Sequence, residues 1–365
     1  MREKVLSFVA CPECGTDLRI DSAQYCNGDK EEIYSGNLVC LEDHRFPVIN
    51  GVPRLLPRKL LLETLRLFHS DRMADEFDTG AETNSDFDVK RRTLQSFSYQ
   101  WNVFSEMYSH WEDNFRSYFE PLLPPDKFHG KIVLDAGCGF GRHAYYSGKF
   151  GAEVVAMDLS EAVEAAHVNT RSLANVHVIQ GDIYNPPLKS KFDLIYSVGV
   201  IQHLPKPAEG FKELSRWLVQ YGQIFVWVYG RRSGLYRVID AMRKVTTHMS
   251  MKSVYRLSFF LNIASFLCFN FPYKLLMVVP GARGLASSLP FTRYADLPLR
   301  VGHADWFDRL AVPSTVYFTR EEVKSWYDGG NLNDVQIQSR DGIGWRALGR
   351  APASRLINSS DLEVG

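Results

Sequence analysis

Two groups of residues in this chain have types and spacing that do chemistry. Near the start stand Cys11-Pro-Glu-Cys14 and, further on, Cys40-Leu-Glu-Asp-His44. Three thiolates and one imidazole are the donor set of a tetrahedral zinc site. Asp43 and Cys26 are alternative fourth ligands, although Cys26 lies in the polar stretch from Asp21 to Glu32. The second group is acidic and rich in glycine. It comprises Asp135-Ala-Gly137-Cys-Gly139-Phe-Gly141-Arg142, then Asp158, then Gly181-Asp182-Ile183, then Ser197-Val-Gly199-Val-Ile-Gln-His203. Glycine has no Cβ and takes φ > 0, so a ligand can lie against bare backbone. An acid at the end of the following strand is placed to accept hydrogen bonds from a ribose diol. His203 has a near-neutral intrinsic pKa and can remove a proton. His143 could contact a ligand, with a surface or capping role the leading reading, and Cys138 reads as a space-filler in the glycine loop.

Elements must hold these residues in place. Apolar runs Val133–Ala136, Glu153–Met157, Val176–Gln180, Phe192–Ser197 and Gln223–Tyr229 read as strands, with helix patterns over Glu161–Leu173 and Ala208–Val219. Strands alternating with helices predict a mostly parallel sheet. Ligands of such sheets bind outside the carboxyl ends of the strands, where Gly137, Asp158, Asp182 and Gly199 fall. Thr319 with Glu322 three residues on predicts a capping box, and two last strands follow at Asp334–Arg340 and Gly342–Leu348.

As an ordered set, these motifs resemble a class I S-adenosylmethionine-dependent methyltransferase over roughly 131–229, with a weaker tail to Arg350. A dehydrogenase is disfavoured, because its G-x-G-x-x-G fingerprint places the third glycine one residue later. The resemblance implies an α/β, Rossmann-like seven-stranded sheet with helices on both faces. It implies S-adenosyl-L-methionine as cofactor, with Gly137, Gly139 and Gly141 under the methionyl part and Asp158 on the ribose. Asp182 and the Ile183 N–H would meet the adenine, and Asp135, Leu159, Ser197 and Gly199 would complete the pocket. The first 57 residues are similar to the zinc ribbon of the activators of tRNA and release-factor methyltransferases. Their C-x₃-H half resembles the zinc module of bacterial 23S rRNA guanine methyltransferases. The implied ligands of a structural Zn2+ are Cys11, Cys14, Cys40 and His44.

The expected organisation is a zinc-ribbon module at 1–57, a linker with aromatic-rich helices at 58–130, and a methyltransferase domain at 131–350. The linker includes a flexible connection, Thr79–Ser85, and the tail 351–365 is expected to fray. Related enzymes fold the aromatic segment over the cofactor, which implies contacts from Tyr99 and Trp101; plain helix packing is the other reading. A helical insertion spans 230–310. Its apolar run Leu257–Phe271, ended by Pro272, is about 22 Å long as a helix, short of a bilayer core of about 30 Å. It reads as a buried lid or dimer helix, with a peripheral membrane or lipid-substrate surface as the alternative.

Lys+Arg and Asp+Glu number 42 each, so no net field steers the whole chain to nucleic acid. No signal-peptide pattern opens the sequence, and clustered thiols fit a reducing, cytoplasmic setting. The function expected is methyl transfer to an O or N atom of a small-molecule, glycan or lipid-linked acceptor, with His203 as base. An rRNA or tRNA methyltransferase is the second reading, and a cofactor-binding scaffold that activates a partner the third.

Overall fold

The computed structural model describes residues 1–26, 29–77, 87–231, 235–313 and 315–353. The expected flexible connection Thr79–Ser85 and the tail from 354 onward lie outside them. The chain forms two compact units, one of residues 1–85, 107–232 and 314–365, the other of 86–106 and 233–313. Arg58–Phe68, Asp71–Asp75 and Trp111–Phe119 are helices of the first unit, and Phe87–Val103 is a helix of the second.

The first unit carries two sheets. Strands β1 (Arg19–Cys26), β2 (Asp29–Val39), β3 (Arg45–Ile49) and β4 (Val52–Pro53) form an antiparallel sheet in that order. The larger sheet has β5 (Ile132–Ala136), β6 (Glu153–Asp158), β7 (Val176–Gln180), β8 (Phe192–Val198), β9 (Leu218–Tyr229), β10 (Asn333–Arg340) and β11 (Gly344–Arg350). Its spatial order is β10-β11-β9-β8-β5-β6-β7. Neighbours from β9 to β7 run parallel, and β11 is antiparallel to both β9 and β10. This is the Rossmann-like methyltransferase sheet. Helices Arg142–Lys149, Ala162–Thr170, Pro207–Ser215 and Arg320–Gly329 pack around it. The central strands are apolar on both faces because both are covered. Val133, Leu134, Val154, Val155, Ala156 and Met157 are fully buried. The strand order reverses between β5 and β8, and ligands of such sheets bind at the carboxyl end of such a switch point.

Most boundaries fall within a few residues of the sequence reading. The capping box at Thr319 forms, with Glu322 N–H donating to the Thr319 hydroxyl and Thr319 N–H to the Glu322 carboxylate. One helix is shorter than expected. Pro207–Ser215 stops before Val219, because Leu218 already pairs with Phe192 to begin β9. A left-handed Tyr221 (φ 60) then shifts the register.

The second unit is helical: Phe87–Val103, Leu235–Thr246, Met251–Ser265, Phe271–Val278, Arg283–Ser287 and Leu299–Ala311. Phe104, Val254, Phe307, Leu310 and Ala311 make its core, and Tyr99 and Tyr255 pack on them. Pro272 does not end the apolar helix. A wide turn at Phe266–Asn270 joins Met251–Ser265 to Phe271–Val278, giving one 28-residue rod of about 42 Å. In a regular helix the proline ring would strike the carbonyl four residues back, and it has no N–H to donate. The i→i+5 turn relieves that conflict. The helix is thus longer than expected, and only 28% of its apolar stretch is buried, which does not fit a buried lid and leaves the dimer and membrane-surface readings standing.

Candidate active site

The glycine loop follows β5. Gly137, Gly139 and Gly141 all have positive φ, at 91°, 52° and 84°. Gly137 N–H donates to Met157 O at 2.7 Å, and a Cβ on Gly137 would overlap the Val200 side chain. A Cβ on Gly141 would lie 3.0 Å from Ala166 Cα, so this glycine also allows the first two helices to approach. Asp158, at the end of β6, faces the loop. Its Oδ2 accepts from Gly139 N–H at 2.9 Å, and its Oδ1 from Ser160 N–H at 2.8 Å and Ser160 Oγ at 2.7 Å. Burial pushes its carboxyl above the ordinary range, against these bonds. Leu159 follows it and is half-buried, its carbonyl accepting from Gln180 Nε2 at 3.0 Å.

Asp182 and Ile183 follow β7 and are both buried. Asp182 Oδ1 accepts from Tyr184 N–H at 3.0 Å, and Gly181 N–H donates to Asp158 O at 3.0 Å. The loops after β5, β6 and β7 are thus linked. Gly199, with φ 76°, closes the β8 side and donates to Trp227 O at 2.9 Å.

Asp135 and Ser197 are placed behind this surface. Ser197 is fully buried and donates to Ala136 O at 2.8 Å, tying β8 to β5. Asp135 accepts from Tyr196 OH at 3.0 Å, and that hydroxyl also meets Ser147 Oγ at 2.9 Å. Burial raises the Asp135 carboxyl to about 8. Cys138 is buried and its thiol is pushed well up by burial, which keeps it protonated. His203 ends the short turn Ile201–His203, is buried, and has Thr315 Oγ1 3.3 Å from Nδ1. Tyr229 lies edge-on to it at 6.1 Å.

Some site residues escaped the sequence reading. His143, expected at the surface, is buried, and neither ring nitrogen has a partner. Burial, with Arg142 and Arg340 nearby, holds its pKa well down, so the ring is neutral. Gln202 is fully buried with both ends of its amide unpartnered, and Trp227 Nε1 is likewise unsatisfied. Arg142 lies 4.9 Å from the Trp111 ring and 5.9 Å from Tyr118, and makes no ion pair among the described residues. Arg340 sits 3.9 Å over Tyr118. Buried polar groups without partners are costly, so these atoms have the character of ligand contacts. The seven-residue spacing of Trp111 and Tyr118 puts them on one helix face, a signal available in the sequence. Tyr99 belongs to the other unit, where it stacks on Phe307 at 5.4 Å and meets Tyr255 edge-on at 6.3 Å. Trp101 is half-buried on the same helix.

Cys11, Cys14, Cys40 and His44 converge, their donor atoms all within 4.8 Å of one another. Cys14 Sγ and Cys40 Sγ are 3.6 Å apart, and His44 Nδ1 lies 3.5 Å from Cys11 Sγ and 3.4 Å from Cys40 Sγ. A zinc tetrahedron with ordinary bond lengths has edges of about 3.8 Å between sulfurs and about 3.5 Å between sulfur and nitrogen. Among the candidate fourth ligands, His44 is in the cluster. Asp43 is exposed and pairs with Arg45 at 3.3 Å, and Cys26 ends β1. The knuckle abuts the cofactor side of the sheet. Asn185 Nδ2 donates to Pro12 O at 2.8 Å, and Ala10 N–H to Pro187 O at 3.1 Å. Below it, the buried Arg54 bonds Glu161 at 3.1 Å and Gln180 at 3.3 Å, and also Glu164.

Residues 134–226 match the family model described as a methyltransferase domain. A tRNA U34 carboxymethyltransferase of Psychromonas ingrahamii is 34% identical over 28% of this chain and 33% of its own length. The chloroplastic tocopherol O-methyltransferase of Arabidopsis thaliana is 36% identical over 28% and 31%. The chain thus spans about a third of the length of these curated relatives. Human N-acetylserotonin methyltransferase, solved with S-adenosylmethionine, aligns over 74% of this chain and 60% of its own at 12% identity, with a TM-score of 0.44. That likeness is too loose to bear on function. The matched residues and the strand order make 134–226 a class I S-adenosylmethionine-dependent methyltransferase domain.

Proposed function

We propose that the whole chain is an S-adenosylmethionine-dependent methyltransferase acting on an O or N atom of a small-molecule, glycan or lipid-linked acceptor. The observation that carries this reading is the meeting of the loops that follow β5, β6 and β7, where Gly139 N–H bonds the Asp158 carboxylate and Gly181 N–H the Asp158 carbonyl. There, bare glycine backbone, the Asp158 carboxylate and the Asp182–Ile183 turn face a common space. Gly137, Gly139 and Gly141 fit the methionyl part, Asp158 the ribose, and Asp182 with the Ile183 N–H the adenine. Bound there, S-adenosylmethionine supplies a methyl carbon made electrophilic by its sulfonium.

The protein's task is then alignment and proton removal. The residues here would hold the acceptor with its lone pair in line with the methyl group that the cofactor would supply. His203, at the loop after β8, takes the proton of a hydroxyl acceptor. Gln202, Trp227 and neutral His143 offer donors and an acceptor to orient it. Arg142 and Arg340 make this part of the site cationic, which suits an acceptor with a carboxylate or phosphate.

Cys11, Cys14, Cys40 and His44 are proposed to hold a structural zinc ion in a reducing compartment such as the cytoplasm. The donor set is closed, with no position left for substrate. Incubation with radiolabelled cofactor and host extract, followed by fractionation of the labelled product, tests the proposal. Label in a small molecule, glycan or lipid supports it, and label confined to RNA favours the second reading. That reading rests on the likeness to tRNA U34 carboxymethyltransferases, and it requires RNA binding that falls steeply with salt.

A further inference from the structure

The rod Met251–Val278 is built inside out. In a water-soluble domain, a helix turns its apolar side inward and its polar side to solvent. Here the buried residues are Val254, Ser258, Asn262, Ser265 and Asn270, four of the five polar. Phe259, Phe260, Leu267, Phe271, Leu275 and Val278 are exposed, with Phe260 at 68% and Val278 at 80%. Three of the inward polar side chains are used. Asn262 Nδ2 donates to Leu299 O at 2.9 Å, Trp306 Nε1 donates to Ser265 Oγ at 3.0 Å, and Ser258 Oγ lies 3.0 Å from His303 Nε2. Gly302 lets the two helices approach, since a Cβ there would collide with Asn262 Oδ1. This side of the rod is therefore a specific helix–helix seam, and the apolar side is the one left over. More than half of the large apolar side chains exposed in the described residues lie between Phe259 and Leu299. Contiguous apolar exposure on that scale marks a contact surface.

Charge says what the surface contacts. The whole chain is neutral, yet residues 237–309 hold ten Lys and Arg against four Asp and Glu. Between Arg256 and Lys274 no residue is charged, so the apolar face lies between cationic ends. Lys244, Lys252, Arg256 and Arg283 are exposed and make no ion pair among the described residues. An apolar strip flanked by free cations matches a membrane surface with anionic headgroups, where the strip enters the acyl boundary and the cations stay at headgroup level. The rod is long and apolar enough to cross a bilayer by length and composition. The helix that packs along it, Leu299–Ala311, carries Arg300, Asp305, Asp308 and Arg309, however, and hydrocarbon on that side would strand those charges.

We propose that this face docks the protein on an anionic lipid bilayer, lying in the interface and not spanning it. Docking would hold the chain at a lipid surface whatever the methyl acceptor is, and its test needs no methyl transfer. Full-length protein is sedimented with phosphatidylcholine vesicles, with and without phosphatidylglycerol. The expected result is binding to the anionic vesicles at least about tenfold stronger than to neutral ones, weakened by salt. Phe260→Asp with Leu267→Asp should abolish binding. Lys252→Glu with Arg256→Glu should remove the anionic preference. All four positions are exposed, and an unchanged melting curve shows that each variant folds. Three results overturn the proposal. One is no vesicle binding by the wild type. Another is a wild-type dimer in sedimentation velocity that both aspartates dissociate without any vesicle binding, which would make a second copy the occupant. The third is bound protein that resists alkaline carbonate extraction, which would show a true span.

Discussion

The Asp158 carboxylate gives the sharpest test of the cofactor assignment. A carboxylate has about four acceptor sites. Gly139 N–H, Ser160 N–H and Ser160 Oγ occupy three of them. Leu159 N–H also favours the carboxylate, so a ribose hydroxyl meets an acid with far less free acceptor capacity than an unencumbered one would offer. A single charge-assisted hydrogen bond contributes about 1.5–3 kcal/mol. Asp158→Asn removes that charge while keeping an oxygen to hold Gly139, so S-adenosylhomocysteine should bind about 2 kcal/mol more weakly, or about thirtyfold. Asp158→Ala also releases the glycine loop and should cost more. Ser160→Ala frees an acceptor site and should leave affinity unchanged or tighten it. Isothermal titration calorimetry on the three variants separates these effects. Wild-type affinity in Asp158→Asn would show that the crevice does not hold a ribose there, and the reasoning would fail.

Other predictions concern stability, metal and turnover. Arg54→Met removes the main cation of the buried Glu161, leaving it His69 at 3.3 Å, and should destabilise the first unit by about 3 kcal/mol, read by urea unfolding; Glu161→Gln in the same chain should restore part of the loss. Asp135 keeps its proton in the folded state up to about pH 8, against an ordinary carboxylate value of 3.8. The native state binds the extra proton between those values, so stability falls as pH rises from about 4 to about 8 and levels off above; Asp135→Asn should flatten that slope in denaturation midpoints. Metal analysis should find one zinc per chain, released by Cys40→Ser. His203→Ala should lower turnover with little change in calorimetric cofactor affinity, and equal turnover would remove it as the base.

The sequence made the sheet readable because its buried parallel strands are short apolar runs ending in glycine or acid at fixed points. Asp158 and the glycine loop were legible for the same reason, since backbone conformation and strand ends leave a local signature. The tetrahedral donor set was legible as spacing, but the choice of His44 over Asp43 needed the turn at Cys40 to be seen. Gln202, His143 and Trp227 were hidden. Their significance lies in lacking partners, which is a property of everything around them. The rod in the insertion was misread because Pro272 looked like a stop. Only the wide turn before it, a cooperative feature of the backbone, carries the helix through. Its reversed polarity was equally invisible, because a pattern of Phe, Leu, Ser and Asn does not say which stripe faces protein.

The contacts of Pro12 with Asn185 and of Ala10 with Pro187 make the amino-terminal module a buttress for the wall on which a purine would rest. Chelation should therefore act at a distance, loosening nucleoside affinity before the large sheet melts. A version of the chain trimmed to the matched methyltransferase residues would keep that wall without its support and would also leave β7 as a raw sheet margin. Recombinant work that treats the first 57 residues as a dispensable tag would then yield a weak and sticky enzyme, for reasons that have nothing to do with the reacting groups.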